Sequence, residues 1–431
     1  MIKKTFLLFI FSVVFINFSY AWQTSKAKRF AKTITEKELS EHLYIYASDE
    51  FEGRDTGEPG QKKAVEYIRN YYKSIGVKPG DLEGDYFQEM TLTMRGRRGQ
   101  EPKKVETENV VAIIEGSEKP DEYVVITAHL DHVGITDGEI YNGADDDGSG
   151  TVALLEIAEA FKKAADKGKG PKRSVVFLHV TGEEKGLLGS AYYADNPIYP
   201  LENTVVNLNV DMIGRIDPSR REKNRDYIYL IGSDHDSVDL HNLSEQTNAE
   251  SVNITLDYRF NDKNDPNRFY YRSDHYNFAK NGIPIIFYFT GTHEDYHQPS
   301  DTPDKIEYDL LELRTKLIFY TAWNIANRDK RLVVDPKPEK VTFTIPEEDL
   351  KKFHGTYASD LMPLKFEVYT KDGNLALNPV GMDQELVLEA TSKNTFKQEI
   401  AGIEVSFEEG SMKLKIQGRE ISFKIVTSEE E

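Results

Sequence analysis

The chain of 431 residues contains no cysteine. That absence excludes a disulfide framework, a thiolate zinc site and a lipidated cysteine. Positive charge is also scarce. Lys and Arg number 54 against 73 Asp and Glu, for a net charge of −19; removing a leader that carries Lys3 and Lys4 takes this from −19 to −21. Nucleic acid and anionic lipid both need basic patches, so neither is expected as a partner. Long apolar runs are lacking beyond the stretch from Thr5 to Tyr20. That stretch follows Lys3-Lys4 and ends in Ser19-Tyr20-Ala21, which is the form of a secretory signal peptide cut after Ala21. An uncleaved anchor is the competing reading. The expectation is an exported protein, periplasmic or extracellular, with no stable membrane insertion once residues 1–21 are removed.

What is present allows a large core and more than one domain. Apolar runs at Val110–Glu115, Tyr123–Ala128, Ser174–Val180, Val205–Val210, Tyr227–Ile231 and Pro284–Phe289 alternate with helical patterns at Gly150–Ala165, Gly186–Ala194, Val238–Thr247, Asp274–Asn281 and Tyr308–Ala326. Continuous apolar strands separated by helices predict an α/β fold, a mostly parallel central sheet flanked by helices. This main domain is expected over residues 22–330, with a proline-bearing linker over 331–345. Residues 346–431 alternate in short blocks between turn formers and predict a small all-β module, a barrel or sandwich of no assigned chemistry.

Five segments carry the chemistry. Ala128-His129-Leu130-Asp131-His132 closes a predicted strand, and a carboxylate beside a metal-binding imidazole can fix its tautomer. Gly143-Ala144-Asp145-Asp146-Asp147-Gly148-Ser149-Gly150 leads into a helix. One aspartate suffices to cap a helix, so three between glycines suggest a ligand, with the central Asp146 as the candidate bridge between two metals. Glu183 and Glu184 lie at a strand end and point in different directions; one can bind metal while the other reaches a water. Asp211 would sit unpaired after a buried strand unless it bound something. His297, in Tyr296-His297-Gln298-Pro299, completes the set. Imidazole with carboxylate suits zinc, and two zinc ions would balance Asp146, Glu183, Glu184 and Asp211. His293-Glu294-Asp295-Tyr296-His297 also matches His-Glu-x-x-His, a motif that works only on a helix, and the glycine and prolines around it make a helix there unexpected.

In this order, the segments resemble the secreted di-zinc aminopeptidases of metallopeptidase family 28. Glu52-Gly53-Arg54 with Gly57 and Gly60, and Ser273-Asp274-His275 with Gly282-Ile283-Pro284, extend the resemblance over roughly residues 35–325. The resemblance implies two Zn2+ ions, one held by His129 and Asp211, the other by Glu184 and His297, with Asp146 bridging. It implies Glu183 as general base, Asp131 orienting His129, Tyr296 polarising the scissile carbonyl, and peptides as substrates. Alternatives on the same fold are a di-zinc carboxypeptidase or amidase, a glutaminyl cyclase, and an inactive binding protein. Ser273, Asp274 and His275 either line the pocket or cap a helix. The oligomeric state is not legible in the sequence.

Overall fold

The structure, a computed structural model, describes residues 26–81, 84–94, 102–220, 224–337, 343–381, 385–416 and 419–426. The leader expected over residues 1–21 lies outside these. The chain divides into two compact units, one of Met1–Met94, Lys103–Asp262 and Arg272–Pro336, the other of Arg95–Pro102, Lys263–Tyr271 and Lys337–Glu431.

In the first unit the strands are Lys78–Pro79 (β1), Phe87–Met94 (β2), Lys103–Ile114 (β3), Lys119–His129 (β4), Gly134–Thr136 (β5), Glu139–Tyr141 (β6), Arg173–Val180 (β7), Thr204–Val210 (β8), Tyr227–Ile231 (β9), Thr255–Asp257 (β10) and Ile285–Phe289 (β11). One sheet runs β1-β3-β7-β4-β8-β11-β9-β10, with β2 paired to β3, and β5 and β6 form a separate hairpin. Its centre, β7-β4-β8-β11, is parallel, while β3 and β9 run antiparallel to their neighbours β7 and β11. The parallel strands are buried along their whole length in β7, β8 and β11, which is why their sequences are unbroken apolar runs. Val175, Val176, Phe177 and Leu178 of β7 are all fully buried, worth about 1.5–3 kcal/mol each by area. By contrast β2 alternates buried and exposed positions, as expected at a sheet edge with one wet face.

Helix Pro59–Ile75 starts with proline, stops at Gly76 in a left-handed C-cap, and buries Ala64, Val65, Ile68 and Tyr72. Helix Gly150–Ala165 is apolar on most of its circumference and is almost wholly buried. It carries one misfit, Glu156, only 1% exposed, with neither carboxylate oxygen hydrogen-bonded. Burial, reinforced by Glu38 and Glu159 and opposed by Lys163, pushes its carboxyl up to about 9. Glu156 is therefore protonated in the folded chain at neutral pH, whereas in the unfolded chain it ionises near its ordinary value. The folded state binds the extra proton, so stability falls as pH rises from the ordinary glutamate range toward 9. Glu156→Gln should abolish that slope and be more stable than the parent at pH 8 by about 4–5 kcal/mol, with the gap nearly closed at pH 5, in denaturant titrations at the two pH values.

The expected linker begins earlier as ordered structure. Ser237 Oγ donates to the Val333 carbonyl, Val333 N donates to Asp239, and Val238 N donates to Asp335, so residues 333–335 are tied to the start of helix Val238–Glu250. This fastening explains why the first unit continues to Pro336 rather than ending at 330.

The second unit is a closed antiparallel barrel of Gly355–Ser359 (β12), Met362–Lys371 (β13), Asn374–Pro379 (β14), Leu386–Ala390 (β15), Thr395–Gln398 (β16), Ile403–Glu408 (β17), Ser411–Ile416 (β18) and Arg419–Ile425 (β19). It closes where β12 pairs with β19. Its core holds Tyr357, Phe366, Leu377, Phe396, Val405, Phe407 and Phe423, with Leu350 and Phe353 packed on from the preceding helical turn. Among the described residues no helix of the chain is long and apolar enough to cross a membrane.

Candidate metal centre

Parallel strands end on one edge of the sheet, and that edge is where α/β folds collect ligands. His129 is the last residue of β4, Glu183 and Glu184 follow β7, and Asp211 follows β8 directly. His297 comes from the loop after β11, and Asp146 from the loop leading into helix Gly150–Ala165.

The structure brings these side chains together. His129 Nε2 is 3.1 Å from Asp146 Oδ1 and 3.7 Å from Asp211 Oδ1. His297 Nε2 is 3.0 Å from both Asp146 Oδ2 and Glu184 Oε1. The two oxygens of Asp146 thus face different histidines. His129 Nε2, Asp146 Oδ2 and Glu184 Oε1 are buried and have no hydrogen-bond partner. Atoms this close without a hydrogen bond converge on a third point rather than on each other. Two ligands about 2.0–2.2 Å from one zinc at the tetrahedral angle lie about 3.3–3.6 Å apart, and the spacings here, 3.0 to 3.7 Å, bracket that range. The imidazole and carboxylate donors fit zinc, in two clusters that share Asp146.

Each aspartate of the Asp145-Asp146-Asp147 run has a separate task. Asp147 lies close to His129 and Asp211 as well, but its oxygens accept from the backbone N–H groups of His129, Gly150 and Met212. It is the helix cap and the tether between β4 and β8, and its acceptors are already used. Asp145 accepts from Gly214 N and meets His293 Nε2 at 3.2 Å. Only Asp146 keeps an orphan oxygen among the three. Asp301 Oδ2 accepts from both Asp145 N and Asp146 N and so pins the run from behind.

The supporting contacts differ from expectation at Asp131. His129 Nδ1 is satisfied by the Asp131 backbone carbonyl at 2.9 Å, while the Asp131 carboxylate is 3.9 Å away. The carboxylate is occupied elsewhere, accepting from Thr56 Oγ1 and from Glu183 N. Asp131 therefore holds His129 through its main chain and the Glu183 backbone through its side chain. Ser273, left open between pocket and cap, donates to Asp211 Oδ2 at 2.6 Å and accepts from Asn209, which fixes that carboxylate. Asp274 accepts from Ser190 Oγ, and His275 stacks on Phe287.

Burial raises the Glu183 carboxyl well above the carboxylate range; His129 pulls it back, and Glu184 and Asp211 push it further up. Burial, with Asp146 and Glu184 near, likewise raises Tyr296, whose hydroxyl stays protonated. The Tyr296 ring stacks on His297 with centroids 4.0 Å apart. Against burial, Asp146 and Glu184 raise His297 to about 10, a measure of how strongly this pocket of carboxylates seeks positive charge.

Residues 294–297 form a turn, and no residue of 293–297 is helical. His293 contacts Asp145 while His297 faces Asp146 and Glu184, so the two histidines do not serve one metal. Two supporting residues were not singled out from the sequence alone. Arg54, 1% exposed, donates to the carbonyls of Tyr46, Leu130, Asn142 and Gly143, clamping the His129 loop to the Asp146 loop. His132, fully buried, lies 3.0 Å from Glu184 Oε1 through Nδ1. Its place beside His129 was the available signal, but its burial was not readable from one sequence.

A sheet of this order flanked by helices has the fold found in solved aminopeptidases. Residues 109–322 match the model of peptidase family M28, and the chain belongs to that family. Among its relatives, a probable zinc metalloprotease of Pyrenophora teres f. teres is 29% identical over 270 residues, 52% of this chain and 53% of that protein. Aminopeptidase YwaD of Bacillus subtilis is 25% identical over 288 residues, 64% of this chain and 56% of that protein. The chain thus spans about half the length of these curated relatives. An aminopeptidase from Aneurinibacillus sp. shares the fold with a TM-score of 0.53 at 18% identity, over 72% of this chain and 98% of that one.

Proposed function

We propose that the chain is an exported di-zinc exopeptidase, periplasmic or extracellular, that hydrolyses N-terminal residues from peptides. The observation that carries this reading is Asp146, whose two oxygens face His129 and His297 in a pocket of otherwise unpartnered ligand atoms. His129 and Asp211 would hold one zinc and Glu184 and His297 the other, with Asp146 common to both. Bound zinc would supply Lewis-acid polarisation of the scissile carbonyl and of the attacking water.

The chain's own residues do the rest. Glu183 takes the proton of the attacking water and delivers it to the leaving amine; a carboxyl raised by burial is suited to hold that proton between the two events. The Tyr296 hydroxyl, kept neutral, donates a hydrogen bond to the oxygen of the carbonyl as charge develops there. Asp131 fixes the Glu183 main chain while this happens.

The test is a defined peptide incubated with zinc-loaded protein and followed by mass. Stepwise loss of N-terminal residues, abolished by chelator, is expected. Shortening from the carboxyl end would assign a carboxypeptidase instead, and cyclisation of an N-terminal glutamine without shortening would assign a cyclase. Export is checked by expressing the chain with residues 1–21 in place and sequencing the product found outside the cytoplasm, which should begin at Trp22.

A further inference from the structure

We propose that His132 is a third imidazole ligand of this centre, binding metal through Nδ1 on the side formed by Glu184, Asp146 and His297. The proposal rests on the di-metal reading above and adds a ligand to it. His132 has no exposed surface, and neither ring nitrogen has a hydrogen-bond partner. Leaving a buried imidazole wholly unpaired costs free energy unless something else occupies it. Nδ1 is 3.0 Å from Glu184 Oε1 and 3.8 Å from Asp146 Oδ2. A nitrogen 3.0 Å from a carboxylate would ordinarily make a charge-assisted hydrogen bond, yet neither His132 Nδ1 nor Glu184 Oε1 makes one. The same combination of short spacing and missing hydrogen bond marks His129 and His297. The three atoms from His132, Asp146 and Glu184 lie mutually within 4.8 Å, close enough for one ion.

The ring is also seated on purpose-built backbone. Gly143 has φ +54, and a Cβ there would come within 2.2 Å of the Asp146 carbonyl oxygen and 2.5 Å of the His132 ring atoms Cγ and Cδ2. Any other residue at 143 would clash with both the Asp146 backbone and the imidazole. On its other side His132 meets the His297 ring edge-on, with centroids 5.6 Å apart. A third neutral imidazole adds no charge but shifts preference away from manganese, magnesium and calcium and toward zinc.

The test uses the full chain with its histidine nitrogens isotope-labelled and NMR-active cadmium as the probe metal. Nitrogen–cadmium couplings from three imidazoles are expected, one of them at an Nδ1. Two coupled imidazoles, both through Nε2, would overturn the proposal and leave the di-metal reading standing; failure to bind cadmium at all would overturn both. As a second measurement, His132→Phe fills the same seat without a donor. Chelator competition should then show affinity for one zinc reduced by at least about 10–100-fold, the cost of losing even an indirect partner, and the other little changed. Parental affinity for both ions would overturn the proposal.

Discussion

Glu183→Gln should retain bound zinc and lose turnover by about 10²–10⁴-fold or more, the usual worth of a positioned general base. Gln keeps the size of the side chain and the Glu183 main-chain donation to Asp131. It leaves Glu184, Asp146, His129, Asp211 and His297 untouched, so metal content should stay at the parent level. What it removes is the group that can accept a proton next to the pocket. The informative readout is therefore a split between metal content, unchanged, and kcat, collapsed. A Glu183→Gln protein with parental kcat would assign the base to another residue.

The second large effect is expected at Arg54. Its guanidinium reaches four carbonyls from three stretches of chain, and its fork lies over the Tyr46 ring at 4.7 Å. Leu130 O retains the Tyr46 hydroxyl as a donor and Gly143 O retains Gly148 N, but Tyr46 O and Asn142 O lose the donor they share. Arg54→Met, which preserves much of the volume, should cost about 3–5 kcal/mol in denaturant unfolding, since each buried acceptor left unpaired costs about 1–3 kcal/mol. Arg54→Lys should rescue little of this, because a single ammonium cannot span acceptors on separate loops. Zinc affinity should fall with stability, as the clamp joins the His129 loop to the Asp146 loop. Parental stability in Arg54→Lys would show that the fork geometry is not what matters.

The legible parts of this molecule are those where one residue type has one physical use. Unbroken apolar runs such as Ser174–Val180 mean strands buried on both faces, and the ligands at their ends follow from the parallel arrangement. β2 was missed although Phe87–Met94 alternates at period two, because its polar positions dilute the apolar signal. β12, the strand that closes the barrel, has the sequence Gly-Thr-Tyr-Ala-Ser and announces nothing; closure supplies its partners from both sides. Within the site, residue types were readable and partners were not. The Asp131 carbonyl, rather than its carboxylate, meets His129, and a backbone acceptor has no sequence signature. The three aspartates look alike in the sequence and differ only in which amides reach them. The capping reading holds for Asp147, and the orphan oxygen singles out Asp146.

Counting zinc in metal-stripped protein reloaded under excess metal, then desalted, tests the shared-carboxylate centre most directly when the parent is set beside Asp146→Ala. Two ions per parent chain and no more than one in the variant are predicted, because the carboxylate common to both positions is gone. Two tightly held ions in Asp146→Ala, or a single ion in the parent, would contradict it.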